Sequence, residues 1–389
     1  MNLPSAEPGQ ENSLLHQILV ASDALARVPA ALVVVVMGAA SLFTGLVWAA
    51  RTTPAEGLLA GLFVAGACAL NWALLAALPR AGRSYGAPVP PALALSGLLA
   101  LGALGLALLP SLVLLAVWLV AITLTALYAT WIAPFRLQVT QQTLVVEGLT
   151  GPLRLVHIGD LHVERITSRE RRLNRLLEEI KPDLIVFSGD FVNLTYRDDA
   201  RAEADVRAVI GGWHAPYGVV AVPGTPRVEP LARVQAFVNG IPSITLLLNQ
   251  WHTAETPVGP LHIAGMVTTH HLEADRAALA DLLRQWPASG PRLLLTHAPD
   301  VAPEAAAAGF DVYLCGHTHG GQIVLPLVGP LFSGSAYSRR FVRGRYSLGQ
   351  MTLFVTRGLG MEGWGAPRAR LSCAPEITVW TMLPSAFSQ

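Results

Sequence analysis

Charged residues and cysteines are scarce in this sequence of 389 residues. Asp, Glu, Lys and Arg make up 14% of the chain, the formal net charge is +1, and Lys181 is the only lysine among 27 basic residues. This balance argues against a strongly basic surface of the kind that binds nucleic acid. The three cysteines, Cys68, Cys315 and Cys373, are odd in number and irregularly spaced, which argues against a disulfide framework and a zinc knuckle.

Polar residues are scarce in the N-terminal third, although the first 25 residues are polar and lack the pattern of a cleavable signal peptide. Four apolar stretches, each near the ~20 residues that span a bilayer, follow almost free of charge. They are 28–50, 57–78, 91–109 and 111–133. Buried helices of a soluble domain would have polar faces, whereas these stretches have isolated polar residues such as Asn71 and Thr123. We therefore expect four transmembrane helices.

Basic residues near the ends of the four stretches predict how the chain is oriented in a membrane. Four of them fall on the side of the N-terminus: Arg27, Arg80, Arg83 and Arg136. Arg51 falls on the other side, so the positive-inside rule puts the N-terminus in the cytoplasm. We expect a multi-pass protein with a cytoplasmic tail at 1–27, four transmembrane helices within 28–133, and a domain at 134–389 that is also cytoplasmic.

The domain after the apolar stretches has the pattern of an α/β fold. Apolar alternation in 137–146 predicts two short strands joined by a turn at Gln141-Gln142. A strand pattern at 153–158, a helical pattern at 168–180 and a buried strand pattern at 184–188 then form a strand–helix–strand unit, which favours a mostly parallel sheet. The Gly- and Pro-rich part of the chain after residue 315 indicates a later sheet with more antiparallel pairing.

Residue types that bind metals follow four of the strand-like runs. They are Asp160 with His162, Asp190, His297, and His317 with His319. Each residue alone is more often a turn residue, a helix cap or a structural histidine, but the set favours a metal site at which the carboxyl ends of the strands converge. An extended backbone would point Asp160 and His162 the same way. Carboxylate oxygen mixed with imidazole nitrogen suits manganese, iron or zinc better than calcium.

Four sequence blocks resemble the signature of the calcineurin-like metallophosphoesterases. They are GDLH at 159–162, GD at 189–190, THAP at 296–299 and GHTHGGQ at 316–322. The extended last block, together with RGLG at 357–360 and PEI at 375–377, is similar to a subgroup of membrane-attached phosphodiesterases. The resemblance implies an αββα sandwich with a central mixed β-sandwich.

The same resemblance implies a ligand set for two divalent ions. Asp160, His162 and His319 would bind the first ion, and Asp190 would bridge both. His297 and His317 would bind the second ion. The ions, manganese, iron or zinc, would activate hydroxide for attack on phosphorus, with Asp160, Asp190 and His317 as the catalytic residues.

The fourth block of the family, Gly-Asn-His followed by Asp or Glu, is altered here to Gly224-Thr225-Pro226-Arg227. Thr225 is a weaker, neutral ligand, and Pro226 cannot move a proton, which for a lost general acid costs ~10²- to 10⁴-fold in rate. Thr225 and Arg227 are candidates for a weak contact to the second ion or to phosphate, while the ordinary alternative for Arg227 is a solvated side chain. No motif identifies a replacement among the nearby histidines His252, His270 and His271.

Two functions are compatible with these residues. The first is a membrane-anchored phosphodiesterase whose partners are a phosphate ester and the lipid bilayer; its location suits a lipid-linked substrate. The alternative is a catalytically silent homologue that binds metal or a phosphorylated ligand and acts as a regulatory protein. The altered fourth block favours the alternative, and the six other ligand residues favour the enzyme.

Overall fold

The computed structural model describes residues 24–331, 335–363 and 365–385, and these form two compact units. A helical unit contains the chain up to Ala133 together with the segment Glu362–Ala369. An α/β unit contains Pro134–Met361 and the chain from Arg370 onward.

The helical unit has four long helices between residues 24 and 133. They are α1 (Ala30–Ala49), α2 (Pro54–Ala77), α3 (Val89–Leu106) and α4 (Leu112–Leu127), which continues as a π-helical turn and a 3₁₀ turn to Phe135. Thr53 caps α2 by accepting a hydrogen bond from the Glu56 amide, with Pro54 at the first helical position. With the continuation of α4 included, all four helices are long and apolar enough to cross a membrane, as predicted.

Small and polar residues join the helices of this unit. A Cβ added to Gly45 in α1 would lie 2.9 Å from the Gly57 carbonyl oxygen in α2, so the two backbones are in direct contact where they cross. Asn71 Nδ2 in α2 donates a hydrogen bond of 2.9 Å to Thr123 Oγ1 in α4. These two isolated polar residues of the apolar stretches therefore pair with each other.

The described part of the α/β unit contains fourteen strands. They are β1 (Gln138–Val146), β2 (Leu153–Ile158), β3 (Leu184–Phe187), β4 (Val219–Ala221), β5 (Ile244–Leu246), β6 (Gln250–Thr256), β7 (Gly259–Gly265), β8 (Arg292–Leu295), β9 (Val312–Cys315), β10 (Val324–Leu325), β11 (Gly329–Pro330), β12 (Gly344–Leu348), β13 (Met351–Val355) and β14 (Glu376–Pro384). Its helices, again within the described residues, are α5 (Ser168–Ile180), α6 (Ala200–Ile210), α7 (Leu231–Val238), α8 (Leu272–Leu283) and α9 (Ala302–Ala308).

Twelve of these strands form two mixed sheets of six. The first has the order β1-β14-β2-β3-β4-β5, in which β2 to β5 are parallel and β14 is antiparallel to β2. The second has the order β12-β13-β9-β8-β7-β6, in which β13, β9, β8 and β7 are parallel and both edge strands are antiparallel. Strands β10 and β11 form a separate hairpin.

The two sheets pack face to face, and the helices cover their outer faces. Leu155 and Val186 of the first sheet share a buried cluster with Leu293 and Leu314 of the second. Helices α5 to α7 pack on the other face of the first sheet, and α8 with α9 on the other face of the second. The expected αββα sandwich is confirmed.

One prediction about an individual strand is wrong. The stretch predicted to turn at Gln141-Gln142 is one strand, because β1 pairs with β14 continuously from Gln138 opposite Glu376 to Val146 opposite Pro384. The prediction of more antiparallel pairing in the later sheet is confirmed, because the second sheet has two antiparallel pairs and the first has one. Helices α8 and α9 provide the crossovers that bring β7, β8 and β9 side by side in one direction.

Candidate metal centre

The loops that leave the carboxyl ends of five parallel strands meet at one edge of the two sheets. They carry Asp160 and His162 after β2, Asp190 after β3, Thr225 after β4, His297 after β8, and His317 and His319 after β9. The ligand atoms of Asp160, His162 and His319 lie within 4.8 Å of one another, and so do those of Asp160, Asp190 and His297. These two groups share Asp160 and contain five of the six candidate ligands, and the sixth, His317, lies beside His297 with Nδ1 3.1 Å from His297 Nε2.

One side of this cluster consists of His162 and His319. Their Nε2 atoms are 3.0 Å apart, and His162 Nε2 lies 3.3 Å from Asp190 Oδ2. All three side chains are buried. Asp190 also faces the other side of the cluster, which makes its carboxylate the link between the two.

The other side is built around His297. Its Nε2 atom lies 3.1 Å from His317 Nδ1, 3.1 Å from Thr225 Oγ1 and 3.3 Å from Asp190 Oδ2. Four side chains therefore direct a nitrogen or oxygen atom towards one small volume.

The spacing of these atoms fits divalent cations. Ligands about 2.0–2.1 Å from one ion are separated from each other by roughly 2.9–3.4 Å in tetrahedral or octahedral geometry. The nitrogen and oxygen atoms on both sides of the cluster are 3.0–3.3 Å apart. In addition, Asp160 Oδ2 is buried and accepts no hydrogen bond from any residue that the structure describes, so a cation would satisfy it.

Hydrogen bonds from the surrounding chain orient the side chains. His297 Nδ1 lies 2.8 Å from the Ser188 carbonyl oxygen, to which it donates, so the lone pair of Nε2 faces the cluster. The Thr225 amide donates to Asp190 Oδ1 at 2.7 Å, and the His317 amide donates to Asp160 Oδ1 at 2.8 Å. In each carboxylate one oxygen, Oδ1, is held by an amide, and the second oxygen, Oδ2, is left for a cation.

The backbone at the candidate ligands is left-handed rather than extended. Five of these residues have positive φ: Asp160 (50°), His162 (43°), Asp190 (59°), His317 (72°) and His319 (50°). The expected extended Asp-x-His segment is therefore wrong, because the Asp160 and His162 amides bond to the Gly189 and Asp190 carbonyl oxygens and hold the loop in a tight turn. Such conformations are sparsely populated by non-glycine residues and cluster at functional sites.

Two glycines leave room for the Asp160 carboxylate. A Cβ added to Gly316 would lie 2.7 Å from Asp160 Oδ2, and one added to Gly358 would lie 2.5 Å from the same atom. Gly358 also has a φ of 65°, which disfavours any side chain there. Arg357 anchors this segment through an ion pair of 2.5 Å with the buried Glu376, which joins the RGLG and PEI blocks of the sequence.

Burial and opposite charges set the protonation of the site. Burial raises the pKa of Asp160 to about 6. Burial also opposes ionisation of Asp190, but His297 and His162 outweigh it and hold the pKa of that carboxyl well below its usual range. Burial by itself would lower the pKa of His297, whereas the charge of Asp190 raises it to about 9. The ionised Asp190 carboxylate therefore stabilises positive charge in the cluster, and a bound cation would supply such charge.

The residues of the altered fourth block differ in location. Thr225 lies in the cluster, whereas Pro226 and Arg227 are exposed, and the Arg227 carbonyl oxygen accepts a hydrogen bond from Arg197. Glu229, two residues further on, is buried and accepts a hydrogen bond of 2.7 Å from the Val192 amide. Burial and then the charge of Asp190 raise the pKa of Glu229 to about 8.

One histidine that no motif identified also reaches the cluster. The ring of His270 lies 4.5 Å from that of His317, and His270 Nε2 is 3.4 Å from Thr225 Oγ1. Burial and then the charge of His297 lower the pKa of His270 to about 4. The other two nearby histidines are elsewhere: His252 lies in β6 and His271 is exposed at the start of α8. The position of His270 in the loop after β7 is the signal that could have identified it, since β7 is parallel to β8 and its carboxyl end meets the same edge.

Comparisons with known proteins agree with this fold. Residues 153–324 match the model of the calcineurin-like phosphoesterase superfamily domain. The chain is 28% identical over 274 residues to the uncharacterized metallophosphoesterase YkuE of Bacillus subtilis, covering 66% of this chain and 88% of that protein. It is 29% identical over 233 residues to the phosphodiesterase YaeI of Escherichia coli, covering 59% and 82%.

A further relative acts on a lipid-linked molecule. The UDP-2,3-diacylglucosamine pyrophosphatase LpxG of Chlamydia muridarum is 25% identical over 284 residues, covering 59% of this chain and 84% of that protein. The relatives therefore include both a phosphodiesterase and a pyrophosphatase. Within the α/β unit, residues 153–324 therefore match the calcineurin-like phosphoesterase superfamily domain.

Proposed function

We propose that this chain is a membrane-anchored phosphohydrolase that uses two divalent cations and acts on phosphodiesters. The observation that carries the proposal is the pair of overlapping donor groups, joined by Asp160 and Asp190, in which nitrogen and oxygen atoms stand 3.0–3.3 Å apart. The match to the calcineurin-like phosphoesterase superfamily domain and the similarity to YaeI support the reaction class.

The residues divide between two cations. Asp160, His162 and His319 would hold the first, and His297 with His317 would hold the second. Asp190, whose Oδ1 is fixed by the Thr225 amide, would contribute to both. Cations held there would neutralise charge on the phosphate and lower the pKa of the water that attacks phosphorus.

The chain's own groups limit which esters it can cleave. At the position of the family's proton-donating histidine stands Pro226, which is exposed and has no proton to give. Esters with good leaving groups, such as aryl diesters and pyrophosphates, need little protonation and are the expected substrates. Alkyl diesters are expected to react ~10²- to 10⁴-fold more slowly than in an enzyme with a general acid.

A lipid-linked substrate suits the helical unit. Large apolar side chains on its helices are exposed, among them Leu101 at 69% and Val113 at 72%, as expected for helices that face lipid. We propose that all four cross the membrane and that the α/β unit is cytoplasmic, following the distribution of arginines. LpxG, whose name gives a diacylated sugar nucleotide as substrate, is a relative compatible with this class.

The topology can be tested with single cysteines, because the three native cysteines are buried. In intact cells that express the chain, an impermeant maleimide is expected to label Arg51→Cys and to spare Arg80→Cys until the cells are opened. The reverse pattern would place the α/β unit outside.

The reaction is tested with the full chain in detergent. The metal-stripped chain is reloaded with manganese and incubated with an activated aryl phosphodiester, alongside Asp190→Ala. Turnover that needs metal and disappears in Asp190→Ala supports the proposal. Competing diesters with and without acyl chains then test the lipid-linked class, which equal inhibition by both would contradict.

The second candidate is a catalytically silent homologue that binds metal and serves a regulatory role. Pro226 is the observation that favours it. Two bound metals per chain with no hydrolysis of any activated diester or pyrophosphate would make this the better account.

A further inference from the structure

The second cation of the proposed site lacks one ligand if only the family's blocks are considered. Thr225 replaces the asparagine of the fourth block, and a neutral hydroxyl is a weaker ligand than an amide oxygen. The remaining contacts on this side are His297, His317 and the shared Asp190. A site with so few strong ligands would hold its cation weakly.

His270 lies where an additional ligand would be needed. Its ligand atom lies within 4.8 Å of those of His297 and His317, so the three imidazoles form a group of their own. Its Nε2 is 3.4 Å from Thr225 Oγ1, which is itself 3.1 Å from His297 Nε2. Both separations fall within the roughly 2.9–3.4 Å expected between ligands of one ion, the first at its upper end.

The loop that carries His270 is fixed on both sides. The Thr269 amide and hydroxyl both donate to the buried Asp275 Oδ1 in α8, at 2.8 and 2.7 Å. On the other side, Thr268 Oγ1 accepts a hydrogen bond of 3.2 Å from the His297 amide. The loop is therefore tied directly to the backbone of a candidate ligand.

The conformation of His270 also differs from that of an ordinary loop residue. Its φ is 61°, in the left-handed region that five of the six candidate ligands also occupy, and its side chain is half-buried. Non-glycine residues hold such a conformation where the surroundings enforce it, as the bonds of Thr268 and Thr269 do here.

We propose that His270 is a ligand of the second cation and takes the coordination position of the missing asparagine. The inference rests on the proposed dinuclear site. His270 would replace an amide oxygen by an imidazole nitrogen, so the ligands of the second cation would be three imidazoles and one carboxylate. Nitrogen-rich sites favour zinc, cobalt or iron over manganese more than oxygen-rich sites do.

The test measures metal binding rather than turnover. The metal-stripped full chain in detergent is titrated with cobalt(II), with bound metal counted by elemental analysis and coordination followed by visible absorption. The wild type is expected to bind about two ions per chain. His270→Ala and His270→Phe, which keeps an aromatic ring without a lone pair, are expected to keep one tight ion and to bind the second at least about 10- to 100-fold more weakly.

The matched control is His271→Ala, which removes the exposed neighbouring histidine and is expected to bind like the wild type. Unchanged affinity for the second ion in both His270 variants would overturn the inference, and so would an equal loss in His271→Ala. Failure of the wild type to bind a second ion would instead count against the dinuclear site itself. Circular dichroism of each variant distinguishes a lost ligand from a lost fold.

Discussion

Replacing Gly316 by alanine is expected to displace a metal ligand without removing one. The new Cβ would stand 2.7 Å from Asp160 Oδ2, about 0.7 Å short of the 3.4 Å at which ordinary contact begins. The carboxylate has little freedom to move, because Gly358 also lies close to Oδ2 and the His317 amide holds Oδ1. A misplacement of about 1 Å at a reacting centre costs ~10²-fold, so kcat/KM for an activated diester should fall about 10- to 100-fold, or roughly 1.4–2.7 kcal/mol of barrier.

Gly212→Ala is the matched control for Gly316→Ala. Gly212 is exposed in the same unit, and an added Cβ would lie 3.2 Å from the Asn174 side chain, a closer contact than is ordinary by only about 0.2 Å. The assay combines steady-state kinetics with the affinity of the first metal ion. Wild-type kinetics and affinity in Gly316→Ala would refute the claim that the position of the Asp160 carboxylate determines catalysis.

Three further outcomes are expected from the structure. Burial raises the pKa of Asp300 from 3.8 to about 6, so the contribution of this group to the stability of the fold is present below about pH 4 and is lost as pH rises through 6. The Asp300→Asn variant should therefore melt several degrees above the wild type at pH 7.5 and close to it at pH 4, as measured by differential scanning fluorimetry. Leu327 at the tip of the β10–β11 hairpin is fully exposed. The Leu327→Ser variant should hydrolyse a lipid-linked ester in vesicles more slowly than the wild type and a water-soluble ester at the same rate. The control Leu231→Ser, at an exposed position in α7, should hydrolyse both esters like the wild type. A chelator should lower the melting temperature of the wild type by more than that of Asp190→Ala, because the cations bind only the folded site.

The six candidate ligands could be predicted because their positions depend on a simple regularity. Each comes after a short apolar strand, and the carboxyl ends of parallel strands meet at one edge of a sheet. Asp160, Asp190 and His297 are examples. The pattern did not predict how the backbone turns there, because the left-handed conformations of Asp160 and His162 depend on bonds to another loop.

His270 could not be predicted from a motif because its position depends on contacts distant in sequence. It lies five residues beyond the end of β7, and the path of that loop is set by Asp275 and by the His297 amide. The single strand β1 was missed for a similar reason. Gln141 and Gln142 read as a turn, but β1 is an edge strand, where Gln141 faces solvent while the backbone stays paired with β14.

The most direct test of a dinuclear hydrolase is to measure bound metal and turnover in the same titration. The metal-stripped full chain in detergent receives increasing manganese while hydrolysis of an activated aryl phosphodiester is monitored. The account predicts that turnover rises with the second equivalent bound and is absent throughout in Asp190→Ala. Full occupancy by two ions without hydrolysis, or hydrolysis that survives in Asp190→Ala, would contradict it.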